Sequence, residues 1–65
     1  MPAEEIYEVF AARAEGAERI KNVGAVRARS PREAAIFAHK LYDEWRWKEM
    51  FVVPRHALIH VIRPA

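Results

Sequence analysis

His39, His56 and His60 are the side chains in this 65-residue sequence best suited to proton transfer or metal ligation. None of them has a carboxylate at a motif spacing. His56 and His60 stand four apart, which would make a ligand pair on a helix; on an extended strand the same spacing is about 13 Å, too far for one ion. Glu4, Glu5 and Glu8 gather acid at the head of the first apolar run, where a solvated strand edge is a simpler reading than an acid/base pair. Ser30 is the only serine, and helix capping accounts for it better than nucleophilic attack. Cysteine is absent, and Gly16 and Gly24 are too scattered for a phosphate-cradling loop. The expectation is a chain with no catalytic residue, no bound cofactor and no metal.

A binding surface is the next possibility. Arg13, Arg19, Lys21, Arg27, Arg29, Arg46, Lys48 and Arg55 are interleaved with Trp45, Trp47 and Phe51, and nucleic-acid bases stack on aromatics set in a basic sheet. Against this, Glu15, Glu18, Glu44 and Glu49 sit among the same cations, and 11 basic residues face 9 acidic ones for a net charge of only +2. No aromatic signature of an RNA-recognition motif is present. Nucleic acid is not the expected partner.

The element that must position these groups starts at Ser30-Pro31-Arg32-Glu33. Ser30 suits an N-cap, Pro31 the first helical position, and Glu33 completes a capping box. From there Ala34, Phe37, Ala38, Leu41 and Trp45 recur at helical spacing, which predicts a helix over 30–47 with one apolar stripe. Ile36 falls on its opposite side. Glu5 to Arg13 reads as a strand with apolar groups on both faces, and 18–29 as a second strand joined to it through Ala14-Glu15-Gly16-Ala17. Gly24 inside that strand marks either a bulge or the close approach of another backbone or ring. Residues 50–53 form a short apolar strand, read as a sheet-core position that Pro54 ends or turns into an edge. Residues 57–62, Ala-Leu-Ile-His-Val-Ile, supply a probable fourth strand with no polar face.

The fold class expected is α+β: one domain over 1–65, a small antiparallel sheet in the order β-β-α-β followed by a fourth strand, and one helix packed on one face. So short a chain without disulfides sits near the size at which a single core suffices, and association is the usual remedy. A sheet of three or four strands is roughly 15 to 20 Å across, whereas one helix covers about 10 to 12 Å. The helix therefore leaves part of one face open and cannot touch the other, although the strands carry apolar groups on both. The expected partner contacts are Ile6, Tyr7 or Phe10 in the first strand, Ile36 and Trp47 in the helix region, and Leu58, His60 and Ile62 in the last. Homo-oligomerisation is the starting expectation. No basic leader or apolar run of about 18 residues occurs, which predicts a cytoplasmic protein without a membrane span. The Arg/Glu bias, with Gln and Thr missing, fits a thermophilic source or a GC-rich genome.

Tyr7-Glu8-Val9-Phe10, then Val23-Gly24-Ala25 with Ala28, the helix bearing Ala34, Ala38 and Tyr42, and Phe51-Val52-Val53 together resemble the small B subunit of the phenylacetyl-CoA oxygenase (epoxidase) complex. The likeness runs from about Tyr7 to Val53, with Asn22 where a histidine and Phe51 where a tryptophan would be expected. It implies a non-catalytic accessory subunit of phenylacetic acid degradation. In that family the di-iron centre and the acyl-CoA site belong to other subunits, which would be its partners.

Overall fold

The computed structural model describes residues 3–63. Strand β1 spans Glu5–Arg13, β2 Lys21–Ala28, helix α1 Pro31–Leu41, β3 Trp47–Pro54, and a single 3-10 turn covers Arg55–Ala57. The three strands form one antiparallel sheet in the order β2-β1-β3, with the helix packed against it. The molecule is only 15 Å through its thinnest dimension, the depth of one helix on one sheet.

Alternation along β1 decides which face lies under the helix. Tyr7, Val9 and Ala11 are buried, whereas Ile6, Glu8 and Phe10 are only partly covered; the alternation breaks at Ala12, which is buried on the far side. Tyr7 pairs across to Val26 and Pro54, and Val9 to Gly24 and Val52, so the covered face collects Tyr7, Val9, Val26, Ala28, Val52 and Met50 beneath Ala34 and Ala38. Val9 is the largest fully buried side chain.

The helix starts as its sequence dictates. Ser30 Oγ accepts from the Glu33 N–H at 3.1 Å, and Glu33 Oε1 accepts in return from Arg29 N–H at 2.9 Å, one residue earlier than the usual capping box. It ends sooner than the stripe implies, at Leu41 rather than Trp47. Tyr42 leaves helical geometry with its N–H on the Ala38 carbonyl, and the Trp47 indole N–H donates to the carbonyl of Tyr42. A side chain from the next strand thus takes one of the carbonyls that any helix end leaves free.

The stripe needs a correction as well. Ala34 and Ala38 meet the sheet, but Phe37 and Leu41 remain 41 % and 59 % exposed, and Trp45 lies beyond the helix altogether. Two alanines let the helix axis come close and centre the contact on themselves. Phe37 and Leu41, turned away from that centre, overhang the β2 side of the sheet. Strand β3 is longer than 50–53 and forms an edge, not the middle, of the sheet. Pro54 is tolerated there because an edge residue needs no second ladder partner.

Gly24 answers to both of its readings at once. The ladder slips between Val9 and Phe10, which face Gly24 and Asn22, leaving Val23 as the extra residue of a bulge. The Tyr42 ring also closes over Gly24: a Cβ there would fall on the hydroxyl and lie 3.1 Å from Cζ. Gly24→Ala is expected to swing Tyr42 off the core and to cost about 1–3 kcal/mol. Denaturant melts of Gly24→Ala, Tyr42→Ala and the double variant check this, the double costing clearly less than the sum of the singles.

Residues 57–62 form no strand. Beyond the 3-10 turn the chain continues extended through Leu58 and meets no strand edge with which to pair.

Candidate association surfaces

Among the described residues, three apolar patches reach the surface. The first is the sheet face away from the helix, where Ile6, Phe10, Phe51 and Val53 lie on neighbouring strands. Phe10 and Phe51 are directly opposed and stack with ring centroids 5.5 Å apart and planes 17° from parallel. At the centre of this face Glu8 accepts from Asn22 at 3.0 Å and from the Arg55 guanidinium at 2.5 Å, so that one carboxylate ties β1 to β2 and to the turn after β3. The Arg55 hydrogen bond, followed by that of Asn22, holds the Glu8 carboxyl below its ordinary pKa despite partial desolvation.

A depressed carboxylate pKa gives stability that is complete above the unfolded-state value and is lost as the pH falls through the folded one. Glu8→Gln is therefore expected to flatten the acid limb of the stability curve while lowering stability at neutral pH by about 1 kcal/mol or less. Urea titrations across the acid range measure both effects. An unchanged acid limb would remove Glu8 from this role.

The second surface is a groove between α1 and the outer edge of β2, lined by Ala25, Val26, Phe37 and Leu41 and flanked by Arg27 and Lys40. The third is the segment 58–62, in which Ile59, Val61 and Ile62 are 89 %, 94 % and 86 % exposed.

Of the residues expected to meet partners, Ile6 and Phe10 lie on the open sheet face, Ile36 is exposed on the back of the helix, and His60 and Ile62 project from the last segment beside half-covered Leu58. Tyr7 does not belong with them. It is 3 % exposed beneath the helix, where burial pushes its phenol pKa up, with the Glu5 charge adding to the effect. Trp47 is half-covered at the start of β3, its N–H already given to Tyr42. Phe51, Phe37, Leu41, Ile59 and Val61, with Ile20 and Trp45, are exposed apolar groups that were not among the expected partner contacts. For Phe51 the signal is present, since it and Val53 alternate with Met50 and Val52, but it becomes usable only once the register is known.

Much of the basic set is engaged with other groups. Arg13 lies 4.3 Å over the Trp45 ring and 3.5 Å from Glu18, Lys21 is 3.2 Å from Glu18, and Arg55 is on Glu8. Trp45 is thus covered on one side by a cation of its own chain. Among the histidines, His56 is 3.5 Å from Glu5, and His39 lies beside Met50 in the cleft between α1 and β3. Among the described residues, no three His, Asp or Glu side chains come together as a metal site.

No family model, curated protein or solved structure matches this chain. The surfaces themselves are what its function must be read from. Among the described residues, no helix is long and apolar enough to cross a membrane.

Proposed function

We propose that this chain is a non-catalytic cytoplasmic accessory subunit that works by binding other protein chains, as part of an oxygenase complex acting on phenylacetyl-CoA. The observation that carries the association reading is the stacked Phe10–Phe51 pair on the sheet face away from the helix, where Phe51 stays 41 % exposed and the 3-10 turn reaches in through Arg55. Aromatic groups with apolar neighbours and an internally paired carboxylate suit a desolvated protein contact. The choice of an oxygenase partner rests on the resemblance from Tyr7 to Val53.

The proposal expects a carboxylate-rich di-iron subunit to be encoded beside this chain, and co-expression with that subunit tests it. The expected result is a complex that survives size-exclusion chromatography and is lost on Phe51→Glu, with the circular dichroism of the small subunit unchanged. Failure to co-purify, or a complex indifferent to Phe51→Glu, overturns it.

A further inference from the structure

We propose that residues 58–62 of one chain add as a fourth strand to the outer edge of β2 in a second copy, filling the groove beneath Phe37 and Leu41. This deepens the reading of the chain as an association module and names a copy of itself as a partner.

The segment is extended over 58–60 and bends at Val61 and Ile62. Leu58 has extended dihedrals, φ −82° and ψ 133°, and Ile59, Val61 and Ile62 are almost wholly exposed. Straightened at that bend, the segment would put Ile59 and Val61 on one side and Leu58, His60 and Ile62 on the other, so both sides would carry apolar groups. Such a strand needs an edge to pair with and a roof over one side.

The outer edge of β2 offers both. Between its bulge and its end, Gly24 to Ala28 keep unbroken register with β1, a regular stretch of five residues. Residues 58–62 are also five. Phe37 and Leu41, one turn apart on the helix, are separated by about 6 Å along its axis. Ile59 and Val61 are separated by about 6.6 Å on a strand, so each can sit against one of the two. Main-chain hydrogen bonds along β2 would then supply affinity and the groove specificity, as in other strand additions.

The geometry also favours a second copy over the chain itself. The order β2-β1-β3 puts β2 on the edge opposite the strand from which this segment departs. A position outside β2 lies three strand spacings away, about 14 Å, and 55–57 are already wound into a 3-10 turn. Crossing would consume the very residues that have to pair. The outer edge of β3 is the poorer template, because Pro54 lacks an N–H and Lys48 and Glu49 are charged. Exchange between two copies is reciprocal and closes as a dimer.

Two measurements test this. Sedimentation of the wild type and of Ile59→Asp/Val61→Asp is expected to show a dimer whose Kd rises about a hundredfold or more in the variant. Circular dichroism should not change, since both side chains are free in the single chain. The sequence has no cysteine, so single cysteines report position directly. Ile59→Cys mixed with Leu41→Cys is expected to form a disulfide-linked pair under mild oxidation, and Ile59→Cys with Phe51→Cys is not. A wild type that stays monomeric at high concentration, a dimer unaffected by the aspartates, or cross-linking to position 51 in place of 41 overturns the inference. A monomer that still captures the di-iron subunit overturns this inference alone. A dimer that fails to capture it overturns the oxygenase assignment alone.

Discussion

Replacing Tyr7 with alanine is expected to lower the unfolding free energy by about 3–5 kcal/mol, the largest loss of any single truncation in the core. Tyr7 lies in the central strand, paired to Val26 on one side and Pro54 on the other, and is the bulkiest of the buried core side chains. Truncating a buried aromatic costs about 3–5 kcal/mol, in lost transfer energy and in the cavity left behind. A chain of 65 residues has only about 3–10 kcal/mol of stability in total. The one change therefore consumes a large part or all of the margin. Tyr7→Phe separates packing from the hydroxyl: it keeps the ring, and should keep the fold with its stability close to that of the wild type. Urea unfolding followed by tyrosine and tryptophan fluorescence measures both. A Tyr7→Ala variant as stable as the wild type would mean that the helix does not sit on this face.

Ala38→Leu is the second large effect, and it arises from too much side chain instead of too little. Ala34 and Ala38 are the residues through which the helix touches the sheet, and both are essentially inaccessible. A leucine at 38 must be accommodated against Val9 and Val52 by lifting the helix, at a cost of about 1–3 kcal/mol. Lifting also pulls Tyr42 from over Gly24 and strains the Trp47–Tyr42 hydrogen bond. Leucine has nearly the same helix propensity as alanine, so a loss here reports packing and not helix formation. Ile36→Ala, on the exposed back of the helix, should stay within about 0.5 kcal/mol of the wild type when the chain is measured alone. Thermal melts of the two variants beside the wild type decide the point.

The parts of the fold legible in the sequence are those governed by near neighbours. Ser30 and Glu33 announce the helix start because the cap is a contact of three residues, and β1 is bounded correctly because its β-branched and aromatic run is local. The helix end was not legible. The apolar period continues through Trp45, and the carbonyl freed at the actual end is taken by an indole five residues beyond Tyr42, a partner that comes within reach because β3 returns to the sheet. Phe37 and Leu41 have the right spacing for the core, yet the small size of Ala34 and Ala38 decides where the helix rests. The open face was foreseen as a necessity of covering a sheet with one helix. Its membership waited on register, which sorted Ile6 and Phe10 from Tyr7. The clamp of Glu8 with Asn22 and Arg55 joins residues 14 and 47 positions apart and leaves no trace in local pattern.

The seating of α1 on two methyl groups bears on the order in which the molecule comes apart. Strand β1 is bonded on both sides, whereas the helix is held by Ala34, Ala38, the Ser30 cap and one indole. Few buried contacts mean a low free energy of local opening, so amide protons of α1 should exchange with solvent well before those of Val9 and Ala11. In such an excursion the sheet would persist briefly as a bare three-stranded ribbon, both of its faces available at once.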